Sequence, residues 1–125
     1  KAILTKKAPA PIGPYNQAIK YNNMVFISGQ IPMNPNDGKL VDSGIREETI
    51  QVMENLKEIL IEANMDFSHI VKSSIFLKSM ENFAEVNEEF EKTIDKFRKQ
   101  TNILTDKFIS NKNMIMEKTF QIFIK

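Results

Sequence analysis

Cysteine is absent from this 125-residue sequence, and histidine occurs only once, as His69. The absence of cysteine excludes disulfides, thiolate nucleophiles and cysteine-based metal sites, and one histidine cannot form a histidine metal cluster. The sequence also lacks a signal-peptide pattern and a long hydrophobic run, so we expect a soluble cytoplasmic protein with no membrane partner. An excess of charge is missing as well, because 17 Lys and Arg stand against 16 Asp and Glu. This balance gives no long-range attraction for nucleic acid.

The length and the apolar share of 42% are typical of one globular domain over residues 1–125. A proline-rich lead-in occupies residues 1–14 and is predicted to be extended. Tyr15–Tyr21 and Met24–Ile27 then predict a hairpin, which turns at two asparagines that tolerate positive φ. We expect the second strand to end at Ser28-Gly29, because Pro32 prevents the ladder from continuing.

Two amphipathic helices and three further strands complete the pattern. The first helix is predicted to start at a cap on Asp42 or Ser43 and to end at Asn64, and the second to start at Ser79. The strands are predicted at residues 70–78, 102–109 and 114–124. The order β-β-α-β-α-β-β predicts an α+β fold with two helices on one face of a mixed six-stranded sheet. The uncovered sheet face is apolar, which predicts packing against another subunit.

The Ser28-Gly29 step follows a predicted buried strand. A small hydroxyl next to an unhindered backbone N–H, held at the end of a rigid strand, is suited to binding an oxyanion. The alternative is a strand that simply ends in a turn. The neighbouring motifs favour the binding site.

Four segments of this sequence resemble the Rid family of reactive-intermediate deaminases, also called the YjgF or translation-inhibitor-like family. They are A-P-I-G-P-Y (Ala10–Tyr15), I-S-G-Q-I-P (Ile27–Pro32), I-V-K-S-S-I-F-L-K (Ile70–Lys78) and N-F-A-E-V-N (Asn82–Asn87). The resemblance covers essentially the whole chain and implies a chorismate-mutase-like fold, assembled as a homotrimer with clefts between subunits. It also implies hydrolysis of enamine or imine intermediates to a 2-keto acid and ammonia, without metal or organic cofactor.

The resemblance implies particular site residues. Glu117 matches the family's glutamate in the last strand, which can orient and partly deprotonate a water molecule. Asn102 stands where the family has a substrate-gripping arginine, and a neutral amide cannot neutralise the substrate carboxylate. Arg98 and Lys99 are the nearby cations that could replace that arginine. The remaining substrate-binding positions are Tyr15, Ser28, Gly29 and Asn87.

Each of these assignments has a structural alternative. Tyr15 could pack with its hydroxyl on the backbone, and Glu117 could be an ordinary exposed strand residue. Two functions therefore remain: an imine deaminase with a weakened carboxylate grip, and a non-catalytic protein of the same fold that binds a small carboxylate-bearing metabolite. A ribonuclease or translation inhibitor is disfavoured by the neutral charge. No function is assigned to His69.

Overall fold

The computed structural model describes residues 1–98 and 119–124. Within them the chain forms an α+β fold with two helices and one sheet. Short 3-10 turns at Phe67–His69 and Met80–Asn82 precede the fourth strand and the second helix. The elements in chain order are β1 (Ala2–Ile3), β2 (Ala18–Tyr21), β3 (Met24–Gln30), α1 (Ile45–Glu62), β4 (Ile70–Phe76), α2 (Phe83–Arg98) and β5 (Thr119–Ile124).

The strands of the described chain lie in the order β1-β2-β3-β5-β4, and each of the four pairings is antiparallel. The last strand of the chain therefore lies between β3 and β4. Its backbone register pairs Ile122 with Ile27 on one side and with Ser73 on the other. The two-residue strand β1 was not predicted, and the strand predicted at 102–109 lies outside the described residues.

The two faces of the sheet differ in burial, as the alternation of β3 predicts. Val25 and Ile27 are 0% and 4% exposed, whereas Met24 and Phe26 are 37% and 38% exposed. Residues of both helices belong to the same core as Val25 and Ile27, so the helices cover one face. The core residues contributed by the two helices are Val52, Met53, Leu56, Ile59, Leu60, Val86, Phe90 and Ile94.

Several predicted element ends were wrong. β2 begins at Ala18 and not at Tyr15, and β4 ends at Phe76 and not at Lys78. β3 does not end at Ser28-Gly29 but continues to Gln30, because the pairing with β5 is irregular between Ile27 and Gln30 and resumes beyond that point. The first helix is not capped by Asp42 or Ser43. Its N-cap is Gly44, with φ of 127° and no side-chain hydrogen bond, a backbone conformation that favours glycine.

The predicted end of the first helix is confirmed, whereas the predicted start of the second is not. Asn64 follows the end of α1 with φ of 59°, the left-handed conformation that commonly terminates helices. The second helix was predicted to start at Ser79, but α2 starts at Phe83. Ser79 instead caps the 3-10 turn before α2, where its side chain accepts a hydrogen bond from the backbone N–H of Glu81 at 3.3 Å.

Candidate functional site

A surface pocket lies between the proline-rich lead-in and the end of β3. It has an empty volume of about 360 Å³, including its open mouth. Tyr15 and Gly29, two of the predicted site residues, both line it. The pocket thus joins the A-P-I-G-P-Y and I-S-G-Q-I-P motifs in one concave surface. The complete lining is Pro9, Ala10, Pro11, Ile12, Tyr15, Gln17, Gly29, Gln30, Ile31 and Met33.

Tyr15 stands at the rim of this pocket and is 47% exposed. Its ring lies against Gly13, where an added Cβ would be 3.1 Å from a ring carbon. The Tyr15 N–H donates to the Gly13 carbonyl at 2.8 Å, which folds the chain tightly here. The Tyr15 hydroxyl accepts from the Ile12 N–H at 3.4 Å, a long and therefore weak hydrogen bond. Within the described part of the chain the hydroxyl hydrogen has no acceptor, so it can donate to a ligand.

Ser28 and Asn87 lie outside the lining of this pocket. The Ser28 hydroxyl donates to the Asn16 carbonyl at 2.6 Å, and its backbone N–H donates to the Gln17 carbonyl at 3.0 Å. Ser28 therefore ties β3 to the residues that precede β2. The Asn87 side chain, on α2, donates to Glu91 at 3.2 Å within the same helix. The binding roles of both residues stay predictions.

Three sequence predictions fall outside the part of the chain for which side chains are described. Asn102, the predicted substitute for an arginine, and Glu117, the predicted catalytic carboxylate, lie between α2 and β5. The alternative cations Arg98 and Lys99 lie at and just beyond the end of α2. Their roles stay predictions.

The described lining of the pocket is electrically neutral, since no Lys, Arg, Asp or Glu belongs to it. Its polar groups are the Tyr15 hydroxyl, two glutamine amides and backbone. Among the described residues there is also no group of three histidine, cysteine or carboxylate side chains that could hold a metal ion. Nor does either helix of the described chain have the length and apolar character required to cross a membrane.

Two buried amides that the sequence prediction missed hold the pocket walls. Gln17, 2% exposed, accepts from the Thr5 N–H at 2.6 Å and donates to the carbonyls of Ala8 and Pro9 at 3.2 and 2.8 Å. It thereby fixes the lead-in wall. Asn55, on α1, binds the carbonyls of the opposite wall.

Asn55 had a signal in the sequence. It stands three residues after Val52 and four before Ile59, so the helical spacing places it on the apolar face of α1. A polar side chain at such a position requires buried partners. No comparable signal marks Gln17, which precedes a short strand.

His69 has a structural role. Its Nδ1 accepts from the Asp66 N–H at 3.2 Å, while the Asp66 side chain accepts from the Ser68 N–H at 2.8 Å. This reciprocal arrangement caps the 3-10 turn before β4. Burial favours a raised pKa for the Asp66 carboxyl, but the hydrogen bonds from the Ser68 hydroxyl and the Ser68 backbone N–H outweigh it and hold that pKa below its ordinary value.

A family model, known protein sequences and solved structures all match this chain. The family model described as endoribonuclease L-PSP matches residues 5–114. A RutC family protein of Pyrococcus abyssi is 47% identical over 90 residues, which are 72% of this chain and 71% of the relative. Mouse 2-iminobutanoate/2-iminopropanoate deaminase is 47% identical over 88 residues, 70% of this chain and 65% of the relative. The crystal structure of a Rid family protein of unknown function from Yersinia pestis superposes with a TM-score of 0.86, at 31% identity over 99% of this chain and 97% of that one.

Proposed function

Because this chain belongs to the Rid family, whose family model is described as endoribonuclease L-PSP, we propose that it is an imine deaminase acting on small 2-imino acids. The observation that carries the proposal is the 47% identity with the mouse 2-iminobutanoate/2-iminopropanoate deaminase. We propose that the reaction takes place in the pocket lined by Tyr15 and Gly29.

The proposed reaction is the addition of water to a C=N bond. The water oxygen bonds to the imine carbon, the π electrons move to nitrogen, and nitrogen takes up a proton. The hydroxyl of this adduct then loses its proton, nitrogen takes up one proton, and the C–N bond breaks, which releases ammonia and leaves the carbonyl of a 2-keto acid. Because the imine carbon is already electrophilic, the protein mainly has to orient the substrate and the water. We assign the activation of the attacking water to Glu117, whose carboxylate would accept a proton from it.

The substrate carboxylate needs hydrogen-bond donors in the same cleft. The Tyr15 hydroxyl and the backbone of Gly29 can supply them, and Asn102 would add the two N–H groups of its amide. A bidentate arginine would give both charge and geometry, whereas these groups are neutral. We therefore propose that this protein binds the substrate carboxylate more weakly than a relative with the arginine does.

The proposed active form is a homotrimer whose clefts lie between subunits. Support comes from the sheet face opposite the helices, where β2 and β3 expose apolar side chains in adjacent pairs. Ile19 is paired with Phe26, and Tyr21 with Met24, and these four are 37–70% exposed. In such an assembly a neighbouring subunit would bring Asn87 to the pocket, which explains why Asn87 is not part of the lining within one chain.

The neutral lining of the described pocket favours one second function, a binding protein that holds a small carboxylate-bearing metabolite without turnover. The fold and the pocket would be the same. Only the hydrolysis step would be missing.

The deciding experiment generates 2-aminobut-2-enoate from threonine with a pyridoxal-phosphate dehydratase, in the presence of semicarbazide, which traps the imine. An active deaminase competes for the imine and lowers the rate at which the semicarbazone forms. Dehydratase alone gives the uncatalysed rate, and a Gly29→Val variant, which adds a branched side chain to a residue of the pocket lining, is the matched protein control. If semicarbazone formation is unchanged while 2-oxobutanoate binds to the protein, the binding function is correct instead.

A further inference from the structure

Asn55 connects the buried face of α1 to one wall of the pocket. Its side chain is 1% exposed. The amide nitrogen donates to the Ile31 carbonyl at 3.2 Å and to the Met33 carbonyl at 2.9 Å. Both acceptors lie in the segment that directly follows β3, and both residues line the pocket together with Gly29.

The orientation of this amide is fixed by its partners. The amide oxygen of Asn55 accepts from the Gln51 side chain at 3.0 Å, one helical turn earlier. The nitrogen must face the two carbonyl oxygens, because carbonyls cannot donate. The Ile31 carbonyl also accepts from the Met33 N–H at 2.8 Å, so Asn55 closes a tight turn around Pro32.

We propose that Asn55 is a positioning residue of the pocket. By holding the 31–33 segment it sets the place of Gly29 and Gln30 opposite Tyr15, and hence the affinity for a small ligand. The opposite wall is already fixed by Gln17 through the carbonyls of Ala8 and Pro9. The pocket width therefore depends on the contact between α1 and the segment after β3. The role in substrate affinity rests on the proposed deaminase function.

The test is Asn55→Asp, which keeps the shape and still accepts from Gln51 but presents oxygen to the two wall carbonyls. Asn55→Ser, which keeps one donor and leaves room for a water molecule, serves if the first variant folds poorly. Thr49→Val is the matched control. Thr49 lies on the same helix, is 2% exposed and donates to the Ile45 carbonyl at 2.7 Å, outside the pocket.

Two measurements compare Asn55→Asp with Thr49→Val, each variant being measured equally far below its own midpoint of thermal unfolding. The first is the ¹H–¹⁵N spectrum, with hydrogen exchange at the Met33 amide. We expect Asn55→Asp to shift the amide signals of Gly29 and Gln30 and to speed Met33 exchange about tenfold, the effect of losing one hydrogen bond. Thr49→Val should do neither. Pocket signals and Met33 exchange that match those of Thr49→Val would overturn the proposal.

The second measurement is steady-state kinetics with 2-iminobutanoate. We expect Asn55→Asp to raise KM about tenfold while kcat changes by less than about threefold, because the affected contact positions the ligand. A simply destabilised enzyme would lose active molecules and leave KM unchanged. An unchanged KM in an active enzyme overturns the positioning role. A wild-type protein without turnover refutes the proposed deaminase, while the amide signals still decide whether Asn55 positions the pocket.

Discussion

At the scale of single residues, the Tyr15 hydroxyl is the pocket group that a conservative substitution tests most directly. Tyr15→Phe removes a hydroxyl whose described bond, to the Ile12 N–H, is 3.4 Å long, so we expect the free energy of unfolding to change by less than about 1 kcal/mol. If the hydroxyl donates to the substrate carboxylate, KM should rise by about one to two orders of magnitude, since such a bond contributes about 1.5–3 kcal/mol. Imine hydrolysis kinetics and urea unfolding check the two values.

The chain provides its own control for this variant, because it has only two tyrosines and no tryptophan. Tyr21 lies on the exposed sheet face, away from the pocket lining, and Tyr21→Phe should leave KM as it is. In the Tyr21→Phe variant Tyr15 is the only tyrosine, so the fluorescence of this variant reports ligand binding near Tyr15. Equal kinetic effects of the two substitutions would remove Tyr15 from the site.

Asn102 permits a prediction of opposite sign, a gain of activity. If it replaces the family arginine, imine turnover should be about one to two orders of magnitude weaker than in an arginine-bearing relative. Asn102→Arg should then recover much of that loss, because Glu117 and Gly29 would already be in place. The measurement is kcat/KM for 2-iminobutanoate in both forms.

The nearby cations supply the control for Asn102→Arg. Full activity in the unsubstituted chain and no gain in the variant would mean that another cation grips the substrate. Arg98→Gln and Lys99→Gln would then identify it, as the one whose loss raises KM.

At the scale of elements, regular periodicity predicted the interiors of α1 and β3 but not all of their ends. The apolar stripe of α1 and the alternation of β3 are both reproduced by the burial of these elements. The start of α1 was not, because Asp42 and Ser43 are good caps by type whereas the backbone turns at Gly44 with φ of 127°. The continuation of β3 depends on pairing with β5, about 90 residues later in the chain. Local sequence contains no information on that partner.

The C-terminal end of α1 gives a prediction about stability. Asn64 has φ of 59°, which costs an ordinary side chain about 1 kcal/mol and glycine nothing. Asn64→Ala should therefore lower the free energy of unfolding by about 1 kcal/mol, and Asn64→Gly should leave it equal or slightly higher. Urea unfolding of the two variants measures the difference. Equal stability of the alanine and glycine forms would contradict it.

An ion-pair network joins the start of α1 to α2. The Arg46 guanidinium contacts the carboxylates of Glu85, Glu88 and Glu89, and Lys92 contacts the last two of these. The hydrogen bond from Lys92 and its charge, followed by those of Arg46, hold the pKa of the Glu88 carboxyl below its ordinary value of 4.5. Because folding lowers the pKa of Glu88, the interactions of its ionised carboxylate stabilise the fold at pH values above the ordinary pKa of 4.5. That stabilisation is lost as the pH falls through the lowered pKa.

We predict that Lys92→Gln raises the pKa of Glu88 towards its ordinary value, and more strongly than Arg46→Gln does, because the Lys92 hydrogen bond is the larger cause. A carboxyl NMR titration measures both. High salt should reduce the difference between wild type and variants, since the groups are exposed to solvent. A Glu88 pKa that does not respond to either substitution would contradict the assignment.

At the scale of the whole molecule, the pocket could be predicted only in part. The two motifs that meet in it are recognisable in the sequence, which predicts Tyr15 and Gly29 as site residues, and both line the pocket. What holds the motifs together was not recognised. Asn55 reaches the 31–33 segment across about twenty residues, and Gln17 reaches back to Thr5, so both contacts are long-range and leave no periodic signal.

The exposed apolar face of the sheet is the feature of the whole molecule that points to self-association. Its apolar side chains on β2 and β3 lie opposite the face that α1 and α2 cover. Patches of this kind mark interfaces, and obligate interfaces typically bury more than about 1,000 Å². We expect a sedimenting species of three times the 14.4 kDa chain mass at micromolar concentration. A wild-type protein that sediments as a monomer would refute the trimer.

The interface and the site are coupled in this proposal, so one substitution should affect both. Phe26→Glu places a charge in the middle of the apolar sheet face, which costs several kcal/mol if that face is buried between subunits. We expect a monomer that remains folded by circular dichroism but has lost most of its imine turnover, because Asn87 of a neighbouring subunit no longer reaches the pocket. Ile61→Glu is the matched control, since Ile61 is an equally apolar residue, 51% exposed, on α1. It should leave the trimer and the turnover intact, and a fully active Phe26→Glu monomer would show that each chain carries a complete site.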